Sequence, residues 1–353
     1  MKKLLAAGAA LLLAITLSLS LVGCGGGVEV NYNAVEWKGG GAQVYDGETL
    51  VAETVTNACL LRLDAGTHSL SLRRDGKAFA NFEYTVPQMT ETVCSGSGDT
   101  QLSVYGDGIY FSASEHLVLD YRTATERNDA FSAPIYLAEN VKKVSVLAAR
   151  TFLLHCSFIL QRRSQDIEFE FEKINLVGLD GVQHAIAFDD EVTPQGKIIL
   201  SFFGNGNSIA SGFEAANGKN GSDQGWIGTG GNGGNGENGG CAVKGGEIVI
   251  LSETDVAFTG TNGGNGGNGG DATVLAKAGN GGNGGNGGAA IEGTSVTLFM
   301  VEGVFTATAG TGGKAGSAGG RALGGAGSNG KAGTTPAGVN AESKEALRGS
   351  FGE

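Results

Sequence analysis

Between residues 28 and 93 the chain alternates apolar and polar positions with a period of two, which is the mark of half-buried β-strands, and helix signals stay few up to residue 209. Cys59, Leu61 and Leu63 alternate with Leu60, Arg62 and Asp64. Leu70 and Leu72 follow the turn Asp64-Ala65-Gly66, and Ala80, Phe82, Tyr84 and Val86 share one face. Asp46-Gly47 and Asp75-Gly76 mark tight hairpins, because glycine supplies the positive φ such turns need. Residues 28–93 are therefore expected to form a small β-sandwich. Between 101 and 209 short strands recur, at 141–147, 158–160, 167–177, 185–188 and 197–203, separated by turns such as Leu179-Asp180-Gly181 and Gly204-Asn205-Gly206. Ile167, Phe169 and Phe171 face one way and Glu168, Glu170 and Glu172 the other, until the apolar phase slips to Ile174 and Leu176 at a bulge or corner. Regular rungs of this kind predict a right-handed parallel β-solenoid, with a Greek-key sandwich as the structural rival.

Residues 210–335 contain a repeat. The segment 241–251 lines up with 289–299, 48 positions later, and each is followed by a Val-Phe segment and a glycine tract. Inside the tracts Asn232, Asn235 and Asn238, then Asn262, Asn265 and Asn268, then Asn280, Asn283 and Asn286 recur every third residue. A period of three matches a polyproline-II helix, in which nine residues make a rod of roughly 28 Å. Asparagine then lines one edge, making these residues a candidate ligand-facing row. The two glycine edges stay bare, so neighbouring rods can approach until their backbones bond. A flexible glycine linker is the alternative, but it needs neither a strict phase nor interleaved strands.

The N-terminus reads as an export signal. Lys2 and Lys3 precede an uncharged run from Leu4 to Val22, and Leu21-Val22-Gly23-Cys24 resembles a lipobox. That resemblance implies a signal peptide over 1–23, acylation of Cys24 and a glycine tether over 24–27. An uncleaved membrane-spanning helix is the competing interpretation. Gly25 rather than Asp after the cysteine implies the outer membrane in a two-membrane cell, and otherwise the outer face of the plasma membrane. Residues 336–353 are expected to be a polar tail.

Composition narrows the partners. The formal net charge is −12, and a chain this acidic is repelled by phosphate, which argues against nucleic acid. Cys59 and Cys94 are the candidate disulfide, on the expectation that both lie in one domain. The cysteines show no C-x-x-C spacing, and His68, His116, His155 and His184 are scattered, so no metal site or cofactor is called for. Calcium is disfavoured in the tracts because asparagine stands where a β-roll needs aspartate. For catalysis the candidates are Asp189, Asp190 and Glu191 with His184 nearby, and the row Glu168, Glu170 and Glu172. Adjacent strand residues face opposite sides, and like charges in a row more often mark a solvent face. No nucleophile elbow or phosphate loop is present.

Two resemblances follow from these residues. The string Gly41-Ala42-Gln43-Val44-Tyr45-Asp46-Gly47, with Asp64-Ala65-Gly66-Thr67-His68-Ser69-Leu70-Ser71-Leu72 and Asp75-Gly76-Lys77, resembles PEGA-type surface modules, which space or dock. It lacks their proline-rich entry, so a generic immunoglobulin-like sandwich stays open. The glycine triplets resemble polyglycine-II bundles of phage tail-tip adhesins and springtail antifreeze proteins, and glycine-tract β-solenoid surface proteins of gut-type bacteria. With the lipobox they point to a lipid-anchored, non-enzymatic surface module that is binding or structural; its amide arrays suit carbohydrate hydroxyls or an envelope surface, but equally plain solubility. A β-helix lyase or hydrolase acting on polysaccharide, and an ice- or surface-binding protein, are the alternatives.

Overall fold

A computed structural model describes residues 18–19, 28–95, 102, 106–161, 163–189, 195–224, 228–272, 276–320 and 324–351. Cys24, the rest of the tether, most of the expected signal segment, Asp190 and Glu191 lie outside them. Among the described residues all regular structure is β, and no helix is long and apolar enough to cross a membrane. The chain divides after Thr85 into two compact units.

The first unit holds two four-stranded antiparallel sheets. One contains Ser18–Leu19, Val28–Asn31, Ala34–Trp37 and Ala58–Leu60; the other contains Thr49–Thr54, Ala42–Asp46, Gly66–Arg74 and Lys77–Val86. Both expected hairpins form, with φ of 57° at Gly47, 50° at Asp75 and 73° at Gly76. The period-two residues do what their spacing implies: Cys59, Leu61, Leu70, Leu72 and Phe82 are buried with Val35, Trp37 and Val44 in one core. The unit ends earlier than residue 93, because Glu91–Ser95 pairs in parallel with His116–Asp120 in the second unit.

Among the described residues of the second unit seventeen strands form one large parallel sheet that curls as a solenoid does. Three ladders climb it. The first contains Glu91–Ser95, His116–Asp120, Lys143–His155, Ile167–Val177, Lys197–Phe203, Glu247–Ser252, Ile291–Met300 and Val339–Arg348. A second includes Asn207–Ala210, Val256–Thr259 and Phe305–Thr308, and a third Ile109–Phe111, Ile135–Leu137, Phe158–Leu160, Ile186–Phe188 and Val243–Lys244. The apolar slip after Glu172 is a corner. Lys173 takes φ 57°, residues up to Glu172 pair with Lys197–Phe203, and Asn175 to Val177 pair with Asn207–Ala210. Buried Asn207 fastens this corner: its Oδ1 accepts from Ile174 N at 2.9 Å, and its Nδ2 donates to the carbonyls of Phe203 and Gly204. Inside, the rings of Phe171, Phe202, Phe258, Phe305 and Phe351 follow one another at 5.4–5.7 Å between centroids. Stacking identical positions on successive coils makes such a column almost inevitable.

Two expectations change. Val339–Arg348 is not a tail but the last rung, paired in parallel with Ile291–Met300. The Cys59–Cys94 bridge is not formed. Cys59 is buried in the first unit's core and Cys94 in the solenoid interior, so each thiol faces a different hydrophobic cluster. Burial raises the thiol pKa of Cys94, and pushes that of Cys241 up to about 12, so neither is a ready nucleophile.

Candidate functional site

The 48-residue alignment read from the sequence is the register of the structure: Val243 pairs with Ile291, and Ile248 with Val296. On coils without glycine tracts the offset is shorter, from 23 residues between Ile135 and Phe158 to 33 between Asn175 and Ser208. The excess leaves the solenoid at one corner, between the second ladder and the third. It runs out through residues 213–224, 260–271 and 309–320 and returns through 228–240, 276–288 and 324–338. Three excursions therefore lie one upon another.

Each Gly-Gly-Asn triplet sends its three amides in three directions. The first glycine donates to the next layer: Gly263 N to Thr311 O, Gly266 N to Lys314 O and Gly284 N to Lys331 O, at 2.8–2.9 Å. The second donates across to an antiparallel tract: Gly267 N to Gly234 O, Gly282 N to Gly267 O and Gly285 N to Gly264 O, at 2.7–2.8 Å. The asparagine amide is met by a side chain of the layer before. Asn265 N donates to Asn217 Oδ1 at 2.7 Å, Asn280 N to Asn232 Oδ1 at 2.9 Å and Asn283 N to Asn235 Oδ1 at 2.9 Å. An extended chain without internal hydrogen bonds has thereby satisfied its backbone donors entirely through neighbours.

Space, not conformation, demands the glycines, since none of those in residues 228–320 outside Gly303 takes a left-handed φ. A Cβ on Gly263 would strike Gly285 O, on Gly264 Ala216 O, on Gly266 Gly282 O and on Gly267 Lys219 O. The number of glycines per triplet follows the number of neighbours. Middle tracts carry two, whereas the first outbound tract carries one, with Lys219 and Ser222 at the free position. The last return tract likewise keeps only Gly327, Gly330 and Gly333 in its triplets. For that reason sequence reasoning missed Asn217, Asn220 and Asp223, which belong to the same ladders. Their Asn-Gly-x phase, 48 residues ahead of Asn265, Asn268 and Asp271, was the available signal.

All eight asparagines singled out from the sequence (Asn232, Asn235, Asn262, Asn265, Asn268, Asn280, Asn283 and Asn286) are exposed. Asn262, Asn265 and Asn268 stand on the outbound tracts and the other five on the return tracts. They are not a bare edge, because each Oδ1 accepts a backbone amide of the next layer. Among the described residues their Nδ2 groups have no hydrogen-bond partner. The result is two surfaces studded with amide donors, about 9 Å apart along a tract and about 4.8 Å between layers.

A second cluster lies on alternate residues of the first ladder. His116 Nε2 meets Ser145 Oγ at 2.9 Å and its Nδ1 meets Glu91 Oε2 at 3.2 Å. Ser145 Oγ donates to Glu170 Oε2 at 3.1 Å, and Lys143 Nζ lies 2.8 Å from Glu170 and 3.5 Å from Glu168. The glutamate row is thus not a solvent face throughout: Glu170 is buried, and Ser201 donates to Glu168. Burial, with the Lys143 charge, lowers the His116 pKa. Burial also opposes the Lys143 ammonium, but Glu168 and Glu170 outweigh it and hold its pKa above the usual lysine range. His184 is a buried fastener whose Nδ1 accepts from Cys241 N at 3.0 Å. Among the described residues no group of His, Cys, Asp and Glu is arranged to hold a metal ion. No family model matches the chain, and neither a curated protein nor a solved structure matches it significantly.

Proposed function

We propose that this is a lipid-anchored cell-envelope protein acting as a non-enzymatic surface-binding and structural module. In this reading residues 1–23 are removed, Cys24 carries lipid, and the first unit is a PEGA- or immunoglobulin-like sandwich that spaces the rest from the membrane. The coils wind right-handed, as parallel crossovers almost always do. The tracts form a six-rod slab of polyglycine-II type that offers amide donors to hydroxyl-rich surfaces such as glycans. The observation that carries this reading is the tract hydrogen-bond network, which makes a low-complexity segment rigid while leaving its Asn Nδ2 groups outward for a ligand. The test uses the full chain purified in detergent on an array of neutral and anionic polysaccharides, with product release followed in parallel. Binding without turnover supports the reading; turnover, or no binding to any polysaccharide, refutes it. For the anchor, Cys24→Ser should abolish lipid labelling and detergent partitioning, and a mutant still labelled at its N-terminus would refute it.

A second reading, a β-helix lyase or hydrolase, is favoured by the convergence of His116, Lys143, Glu168 and Glu170. It requires release of pectin, xylan or chitin fragments that disappears in Glu170→Ala. Against it, both carboxylates are already engaged by Lys143, at 2.8 Å from Glu170 and 3.5 Å from Glu168, rather than facing a substrate.

A further inference from the structure

We infer that the corner where the second ladder runs into the outbound tracts is a binding subsite for neutral polysaccharide, an inference that rests on the surface-binding reading above. There the three layers border an open, shallow depression of about 520 Å³ lined by Phe213, Glu214, Asn217, Thr259, Asn262 and Thr308, among others. Its size falls within the range of small-ligand sites. Gly260, Gly263 and Gly264 contribute bare backbone to its wall. Gly260 N donates to Thr308 O and Gly263 N to Thr311 O, both at 2.9 Å, which fixes this backbone before any ligand arrives.

The groups around the depression are complementary to a hydroxyl-rich chain. Phe213 is half-buried and supplies an apolar ring. Among the described residues the Glu214 carboxylate, the Thr259 and Thr308 hydroxyls and the Nδ2 groups of Asn217 and Asn262 have no hydrogen-bond partner. They therefore offer an acceptor, two groups that both donate and accept, and two donors. The donors are preorganised. Asn217 Oδ1 accepts from Asn265 N at 2.7 Å and Asn262 Oδ1 from Thr311 N at 2.8 Å, which fixes which end of each amide remains for a ligand.

The same residues exclude other ligands. The one charged group in the lining is Glu214, so uronates, phosphates and sulfates meet repulsion with no compensating cation. An extended peptide cannot add as a strand here, because the amides of Ser211 and Gly260 already donate to Thr259 O and Thr308 O.

Asp271 shows how to test the donors without breaking the stack. It holds Gly320 N through Oδ1, the same work that asparagine does elsewhere in the ladder. Asn262→Asp therefore keeps the bond to Thr311 N and converts the free donor into an acceptor. The experiment titrates the detergent-purified full chain with cellohexaose, mannohexaose, xylohexaose and chitohexaose, and with polygalacturonate as the anionic probe. At least one neutral hexaose should bind, and Phe213→Ala and Asn262→Asp should each weaken it by about tenfold, the loss of one well-placed contact. Glu302→Gln, in the exposed turn after Ile291–Met300 and away from the tracts, should leave binding unchanged. If a neutral hexaose binds the wild type and both corner variants equally, the subsite is wrong while the surface-binding reading stands. Polygalacturonate binding as tight as any neutral hexaose likewise overturns the subsite alone. If none of the probes binds the wild type, the glycan reading fails and the subsite with it.

Discussion

Replacing Gly266 by Ala, or Gly284 by Ala, separates a packed slab from a flexible tether by the sign of the effect. At Gly266 the new methyl would collide with the carbonyl of Gly282, and at Gly284 with that of Gly313. Neither obstacle is a side chain that can swing aside. The adjacent tracts must part, and the bonds nearest to Gly266 are Gly282 N to Gly267 O and Gly285 N to Gly264 O, at 2.8 and 2.7 Å. Gly267, Gly282 and Gly285 are buried, so water cannot readily take over. At about 1–3 kcal/mol for each amide left unmet, the loss is about 2–6 kcal/mol. Roughly 3 °C per kcal/mol for a domain of this size converts that to a fall of about 6–18 °C in melting temperature. In a linker the same change would be stabilising by roughly 0.4–1 kcal/mol, through the unfolded state. Gly320→Ala is the control, because its methyl would meet only the Asp271 carboxylate, 3.3 Å away. Thermal melting should be paired with amide exchange at Gly282 and Gly285, which should be slow in the wild type and faster in the variants. Free exchange in the wild type, or alanine variants that melt no lower, would refute the packed slab.

Asn265→Ala should cost about 0.5–1.5 kcal/mol and speed amide exchange at Lys314, whereas Asn265→Asp should be close to neutral; equal behaviour would mean that the side-chain bond contributes nothing. His68, hydrogen-bonded to Asp46 at 2.7 Å and to the Asp64 carbonyl, has a raised pKa. Its contribution is full below about pH 6.5 and lost as pH rises through the folded value, while half-buried His116, with a lowered pKa, weakens its unit as pH falls below about 6.5. An NMR titration should find the two imidazoles on opposite sides of 6.5, and matching midpoints would count against both placements. Buried Arg163 donates to the carbonyls of Val141, Ala138 and Leu137 at 2.9, 3.0 and 3.4 Å, and burial draws its pKa down to about 10. Arg163→Met should destabilise the solenoid by about 2–4 kcal/mol, and an unchanged denaturation curve would show that those carbonyls need no partner.

Much of the solenoid was legible because its signals are local. Ile167, Phe169 and Phe171 announce a strand by spacing alone, and the slip at Ile174 announces a corner. The 48-residue alignment even gives the register of Val243 on Ile291. What stayed hidden depends on partners distant in sequence. Val339–Arg348 looks like a tail because an end rung has one neighbour and keeps few apolar residues. The Asn217 ladder escaped because its tract lacks the glycine doublet, and the doublet is dispensable where one side is free. Cys59 and Cys94 look like a pair along the chain, yet they are assigned to different cores. The polar cluster around Lys143 joins residues from four coils, and nothing in the spacing of any one strand foretells it.

The three-layer stack can also be regarded as a small crystal whose growth has been poisoned. Interior layers present asparagine to the next layer, and its Oδ1 is the docking point for the incoming amide. The final layer has Thr311, Lys314 and Ser317 on the outbound side and Ser328, Lys331 and Thr334 on the return side. None of them offers a side-chain amide oxygen, and Lys314 and Lys331 place like charges where a further layer would settle. Beside them the terminal rung carries Glu342, Lys344, Glu345 and Arg348 along the exposed strand edge, a composition that discourages pairing with another chain. Size in this protein therefore comes in steps of one layer: a duplication of 48 or 49 residues, the two offsets already present, would add one complete layer, whereas a fraction of that length would leave a dislocation running through the slab.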